Sequence, residues 1–302
     1  MAERNIQLAS NLDALSPKRR AEAFERGGYA SEKLDGVWAG LWVEGSEAFF
    51  FSSSEERMVS MQQTSALSEA IDQLPDGVYL GELWHPELPQ KDISGISRKK
   101  EPGHGELLEF HIHDLIPIDE YREGKAEDFY YERRDFLIES VFPAESNHLF
   151  QRLRVLPQHW VDTEEEFLEF EANLPKGSEG AIFKPYSALW EKGNRGINVI
   201  RIKRTMTFDL LVTGVSEVER TDKGGLTGGI IVGWKKFAKP EGEYEAQLIR
   251  GMSHAELEAW AENPSSIVGK IVEVRAMNIT PLGYLREPRF KVVREDKQKP
   301  DV

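Results

Sequence analysis

The stretch Glu32-Lys33-Leu34-Asp35-Gly36, running straight into Val37-Trp38-Ala39-Gly40-Leu41-Trp42-Val43, decides how the chain reads. Behind the glycine the residues alternate, with Val37, Ala39, Leu41 and Val43 on one side and Trp38, Gly40 and Trp42 on the other. Glu44-Gly45-Ser46 turns the chain into a second apolar run over 48–51, so the segment predicts a β-hairpin with a lysine at its entrance. Two readings of Lys33 are open. It is a solvated turn lysine balanced by Glu32 and Asp35, or it is a covalent nucleophile, a role in which lysine attacks only as the free amine.

Further motifs follow in order along the chain. Gly81-Glu82-Leu83 and His113-Asp114-Leu115 lie at strand ends. Glu179-Gly180-Ala181-Ile182-Phe183-Lys184 comes after a helix, Arg201-Ile202-Lys203 closes the next strand, and Arg294-Glu295-Asp296-Lys297 sits near the C-terminus. Each alone fits a solvated strand end. Together they supply one lysine, strand-borne carboxylates and several cations, which is the inventory for attack on a nucleoside triphosphate. Cations neutralise charge developing on phosphate, and a carboxylate holds a divalent metal or a ribose hydroxyl.

The rest of the chain predicts an α+β fold. Ser16-Pro17 opens a short helix and Gly27-Gly28 stops it. Strands are expected over 78–83, 108–112, 181–183 and 198–203. Thr163 with Glu166 reads as a capping box, with Phe167, Phe170 and Leu174 at helical spacing before Pro175. The stretch 91–105, with Gly95, Gly103 and the cluster Arg98-Lys99-Lys100, reads equally as a mobile loop meeting a nucleic-acid backbone and as a solvated loop. Beyond Thr205 the texture changes to strand-like runs at 208–215, 229–234, 267–276 and 289–293. Gly-rich turns separate them, and one helix over 253–260 carries a second capping box, Ser253 with Glu256. That pattern predicts a small β-barrel and a division of the chain into 1–205 and 206–302.

Composition narrows the chemistry. The 302 residues include no cysteine, which excludes disulfides, thiolate metal sites and thiol nucleophiles. The formal charge is −14, against expectation for a nucleic-acid partner. Residues 207–302 carry 14 basic and 15 acidic side chains, so the acidity is concentrated in the first two thirds. Contact with phosphates must therefore come from local clusters: Arg98-Lys99-Lys100, Lys235-Lys236 with Lys239, and the cations over 286–299. His111-x-His113 has no third ligand at a fitting spacing for zinc. Trp38 and Trp42 read as packing residues. No apolar run is long enough to cross a bilayer and no secretory leader is visible, so a cytoplasmic monomer with no membrane contact is expected.

In order and spacing these residues resemble the ATP-dependent DNA ligases of the nucleotidyltransferase superfamily, especially the short phage-type ones. The resemblance runs from about Tyr29 to the end of the chain. It is carried equally by the lysine motif and by the tail, Gly283-Tyr284-Leu285-Arg286-Glu287-Pro288-Arg289-Phe290 followed by Arg294-Glu295-Asp296-Lys297. It implies a nucleotidyltransferase (adenylation) domain of antiparallel sheets with flanking helices, followed by an OB-fold β-barrel. The implied activity is ATP-dependent sealing of 5′-phosphate/3′-hydroxyl nicks in duplex DNA, with Mg²⁺ and a lysyl-AMP intermediate. The roles of such an enzyme lie in DNA replication and repair, and its size suits a bacteriophage.

The same resemblance assigns the residues. Lys33 takes AMP, Asp35 acts near the 3′-hydroxyl of the nick, and Glu32 helps define the adenine edge. Glu82 holds the ribose, Ile182 packs on one adenine face, and Glu179 goes with the metal. Lys184, Arg201 and Lys203 surround the α-phosphate, while Arg294 and Lys297 orient the leaving pyrophosphate. Four positions depart from the family pattern. Trp38 and Ser53 stand where arginines are usual, His113 replaces the stacking Phe or Tyr, and Arg201 replaces Lys. An RNA ligase, a capping-type transferase and a non-catalytic nick- or nucleotide-binding module are the alternatives.

Overall fold

The lysine-bearing turn is framed by two sheets in the computed structural model, which describes residues 6–143, 150–220, 226–235, 243–280 and 282–301. The chain forms two compact units, Met1–Lys203 and Arg204–Val302. In the first, β1 (Leu8–Asn11) precedes α1 (Pro17–Phe24), where Ser16 Oγ accepts from the Arg19 N–H at 3.4 Å. Strand β2 (Gly28–Glu32) delivers Lys33. The expected hairpin is β3 (Val37–Glu44) and β4 (Glu47–Phe51), paired from Gly40 against Phe51 to Glu44 against Glu47. Then follow α2 (Ser65–Gln73), β5 (Gly77–Trp84), α3 (Gln90–Ser97), β6 (Glu109–Ile116), α4 (Ile118–Glu123) and α5 (Tyr130–Asp135). Strands β7 (Leu153–Val155) and β8 (His159–Val161), helix α6 (Glu164–Asn173), and strands β9 (Gly180–Pro185) and β10 (Arg195–Lys203) complete the unit.

One sheet runs β1-β10-β9-β2-β8 and the other β4-β3-β5-β6-β7. Pairing is antiparallel except for β1 with β10 and β6 with β7. Each sheet buries one face against helices. Phe24 of α1 stacks on Phe183 of β9 at 4.2 Å, and Phe167 of α6 joins them. On the other sheet Leu41, Phe50, Tyr79, Phe110 and Ile112 form a core with Ile93 of α3. The opposite face of that sheet carries an aromatic cluster in which Trp42, Phe49, Phe51, Tyr121 and Trp190 pack together.

Two local expectations are corrected. The stretch 91–105 is largely structured, because Ile93 is fully buried and Ser97 nearly so, which anchors α3 to the core. Arg98, Lys99 and Lys100 follow that helix as an exposed run. At α6, Thr163 Oγ1 accepts from the Glu166 N–H at 3.2 Å. The Glu166 carboxylate, however, accepts from Asp162 N–H at 2.7 Å, one residue upstream of the reciprocal capping-box position.

The second unit contains β11 (Met206–Val215), the short pair β12 (Glu219–Arg220) and β13 (Leu226–Thr227), β14 (Ile230–Trp234) and β15 (Tyr244–Leu248). Helix α7 (His254–Glu262) precedes β16 (Ile271–Ala276) and β17 (Arg289–Val293). The sheet order is β15-β14-β11-β16-β17. Its two ends are drawn together where the Phe290 N–H donates to Arg250 O at 2.9 Å. Val212, Val232, Trp234, Val272 and Val274 fill the core. The Ser253–Glu256 capping box forms in full, Oγ accepting at 3.2 Å and the carboxylate at 2.8 Å. The strand expected over 267–276 begins only at Ile271, because Gly269 at φ +86° makes a turn. Lys236 and Lys239 lie outside the described residues.

Phe110 is fully buried and meets Phe50 edge-on at 5.1 Å. Phe110→Ala is expected to destabilise the fold by about 3–5 kcal/mol. Urea unfolding checks this, and a loss below about 1 kcal/mol would contradict the core assignment.

Candidate active site

The faces of the two sheets opposite the Phe183 and Phe110 cores enclose a cavity lined from both sides. From the first sheet come Glu32 and Lys33 at the end of β2, Ile182 and Lys184 of β9, and Val199 of β10. From the second come Trp38 of β3, Leu80 and Glu82 of β5, and His113 and Asp114 of β6. Strand alternation explains most of this set: Ile182 and Lys184 share one face of β9, as Leu80 and Glu82 share one face of β5.

The neighbours His113 and Asp114 both line the cavity because β6 is bulged. Leu80 pairs with Asp114 and Gly81 with Ile112, leaving His113 as the extra residue. A bulge re-aims side chains in this way. The lysine turn is held just as tightly. The Lys33 N–H donates to Gly180 O at 2.9 Å. A Cβ on Gly36 would meet Leu83 O at 2.4 Å and Glu82 Cγ at 2.7 Å. Glycine at 36 is therefore a steric requirement of bringing the turn onto β5.

Two charge clusters occupy the site. In the first, Lys33 Nζ contacts Glu179 Oε2 at 2.5 Å and Lys203 Nζ contacts Glu179 Oε1 at 3.0 Å. The Glu179 side chain is only 7 % exposed, so two ammonium groups converge on one buried carboxylate. Glu82 is part of the same electrostatic group. Burial raises its carboxyl to about 8, Glu179 and Asp35 add to the rise, and Lys33 opposes it. In the second cluster, Arg133 of α5 grips Asp114 with both arms, Nε to Oδ1 at 2.9 Å and Nη2 to Oδ2 at 3.1 Å. Lys184 Nζ adds a contact to Asp114 Oδ2 at 3.1 Å. Burial pushes the Asp114 carboxyl up, but the cations beside it hold it well below the usual carboxylate range.

The structure thus gathers Glu32, Lys33, Glu82, His113, Ile182 and Lys184 around one cavity. Glu179 and Lys203 join through Lys33. Asp35 lies in the turn between β2 and β3. Arg201 pairs with Ile182 across β10 and β9, and its Nε donates to Asn11 Oδ1 at 2.7 Å. Arg294 and Lys297 lie in the second unit, where Asp209 binds both; both Asp209 oxygens accept from Arg294 Nη1 at 2.9 Å. His111 contacts Glu109 at 3.1 Å. Among the described residues no group of three or more His, Asp or Glu could hold a metal alone. Trp42 packs on Phe49, while Trp38 both meets Phe51 edge-on at 6.0 Å and lines the cavity. Arg133 has no sequence signal; it looks like any helix cation, and only its buried partner reveals it.

No family model matches the chain. Among curated proteins it is similar to the DNA ligases of Thermococcus fumicolans (26% identity) and Thermococcus onnurineus (27%), each over 211 residues, 63% of this chain. The chain spans about a third of the length of these relatives, since the match covers 36% of each. Among solved structures, one named Pmar-Lig_PreS3 superposes with TM-score 0.78 at 20% identity, over 96% of this chain and 68% of that one. A Lig E DNA ligase gives TM-score 0.68 at 19% identity, over 96% and 99% of the two chains. The ATP-dependent DNA ligase of bacteriophage T7, in complex with ATP, gives 0.58 at 16% identity, over 97% and 99%. The chain has the fold of the ATP-dependent DNA ligases. That fold is α+β, a nucleotidyltransferase domain and an OB-fold. No helix of the described residues is long and apolar enough to cross a membrane.

The raised Glu82 carboxyl has a consequence for stability. A carboxyl whose folded value lies above its ordinary one stabilises the fold at low pH, and that contribution is lost as pH rises from about 4.5 through about 8. Glu82→Gln is therefore expected to be more stable than the parent at pH 8.5, with the difference shrinking toward pH 5. Urea midpoints across that range check the sign; a constant difference would contradict it.

Proposed function

We propose that the chain seals 5′-phosphate/3′-hydroxyl nicks in duplex DNA, using ATP and carrying AMP on Lys33. The observation that carries this reading is the convergence of Lys33 and Lys203 on buried Glu179 beside the cavity framed by Glu82, His113 and Ile182. In the first step Lys33 Nζ, having lost its proton, attacks the α-phosphorus of ATP. An N–P bond forms, the bond from that phosphorus to the bridging oxygen breaks, and pyrophosphate leaves. AMP then passes to the 5′-phosphate of the nick, and the 3′-hydroxyl displaces it.

Within this reading Glu82 binds the ribose, Ile182 and His113 flank the adenine, and Glu32 borders its edge. Lys203 and Arg201 meet the α-phosphate, and Asp35 serves the 3′-hydroxyl. The single carboxylate of Glu179 suits Mg²⁺, which keeps water and phosphate oxygens among its ligands. When bound there, the ion supplies neutralisation of charge on the phosphates. Residues 1–205 form the nucleotidyltransferase domain and 206–302 the OB-fold, whose Arg294 and Lys297 orient the pyrophosphate after leaving Asp209. The chain acts as a monomer. Trp38 and Ser53 leave the nick phosphate without two usual arginines, so local cations carry the DNA contact.

A nicked duplex labelled at the 5′-phosphate tests the activity directly. The parent chain is expected to seal it with ATP and Mg²⁺, while Lys33→Ala and Lys33→Arg seal nothing, since a guanidinium stays protonated. Sealing of nicks with RNA strands but not DNA strands would replace this reading with an RNA ligase, and sealing by Lys33→Ala would remove Lys33 as the nucleophile.

DNA binding by this acidic chain has its own test. Each phosphate neutralised contributes about −0.9 to the slope of log K against log salt. Reversing the charges of Arg98, Lys99 and Lys100 together is expected to weaken nick binding and flatten that slope, leaving adenylation of Lys33 nearly unchanged. An unchanged slope would take this run out of the DNA interface.

A further inference from the structure

His113 differs from an aromatic hydrocarbon in having two ring nitrogens, and the structure gives them different surroundings. Nδ1 lies 3.1 Å from Lys184 Nζ. An ammonium only donates, so Nδ1 must accept, and the ring proton of a neutral imidazole then sits on Nε2. The hydrogen-bond contact of the His113 ring runs through Nδ1, and His113 lines the cavity. Lys184 is fixed in turn by Asp114 Oδ2 at 3.1 Å and His113 O at 3.2 Å. It belongs to the Asp114–Arg133 cluster and not to the Glu179 group.

We propose that Lys184 is a positioning residue that locks His113 as the Nε2–H tautomer, so that His113 donates a hydrogen bond to an acceptor atom of the bound nucleotide. This rests on the nucleotide-binding reading above and deepens it: the pocket selects for an acceptor where a Phe ring would offer only a surface. The charged and titratable groups facing His113 are Asp114 and Glu82 from its own sheet, Lys184 from β9, Tyr130 and Arg133 from α5, and Glu32 and Lys33 across the cavity. Burial and the Lys184 ammonium pull the imidazole down to about 3, keeping it neutral through the working range. Without Lys184, the Asp114 carboxylate becomes the nearest charged partner. It favours a proton on Nδ1, which turns Nε2 into an acceptor.

Nitrogen-15 NMR of the full chain labelled at histidine reads the tautomer without any turnover. The expected spectrum has His113 protonated at Nε2 and bare at Nδ1 from pH 5.5 to 8, and Lys184→Met shifts the proton to Nδ1. In adenylation kinetics, Lys184→Met and His113→Phe are each expected to raise KM for ATP about three- to tenfold, the size of one lost hydrogen bond. Lys184→Met added to His113→Phe is expected to cost nothing further. A wild-type His113 protonated at Nδ1, or titrating near its ordinary value, overturns the proposal. So does a Lys184→Met penalty that persists in the His113→Phe background, which would place Lys184 on phosphate. Should Lys184→Met fail to fold, the wild-type spectrum and His113→Phe decide. Should the chain not adenylate at all, the spectra, together with ATP binding by titration, still do.

Discussion

Everything at the site depends on one carboxylate, Asp114, and the two cations that neutralise it. Asp114 belongs to the second sheet, Lys184 to the first, and Arg133 to a helix between β6 and β7. The contact therefore fastens the two sheets face to face across the cavity. Burying three charges is costly, and the cluster persists because the Arg133 fork and the Lys184 ammonium satisfy both Asp114 oxygens. Breaking such a cluster by removing one member typically costs about 3–5 kcal/mol.

The Glu179 cluster has the opposite character. Glu179 receives two lysines, and in the proposed reaction arriving phosphates compete for the cations and a metal for the carboxylate. In that reading one cluster sets geometry and the other changes partners during chemistry. The same logic applies in the second unit, where Asp209 is nearly fully buried and draws both Arg294 and Lys297 to itself. A chain with net charge −14 thus keeps these cations paired with its own carboxylates.

Much of the site was legible in the sequence because its residues come in short ordered motifs. Lys33 stands at the entrance of the alternating β3 run, Glu82 and Ile182 sit on strands legible in the sequence, and period two fixes which of their neighbours share a face. The β3–β4 hairpin and the caps at Thr163 and Ser253 were legible for the same local reason. What sequence could not show depends on pairing between distant segments. The bulge that brings both His113 and Asp114 into the cavity is a register event between β5 and β6. Arg133 acquires meaning only from Asp114, and Trp38 lines the cavity only because the sheets face each other. Helix α3 was hidden by Gly95 and the basic run behind it, although Ile93 and Ile96 pack it onto the core. Strand β15 carries too few apolar residues to stand out in Tyr244-Glu245-Ala246-Gln247-Leu248, and its pairing with β14 defines it.

The central claim is that Lys33 forms a covalent bond to AMP. Intact-mass spectrometry after incubation with ATP and Mg²⁺, followed by peptide mapping under conditions that preserve a phosphoramide, tests it most directly. The account predicts a gain of one AMP per chain, located on Lys33. No gain, or an adduct on any other residue, would contradict it.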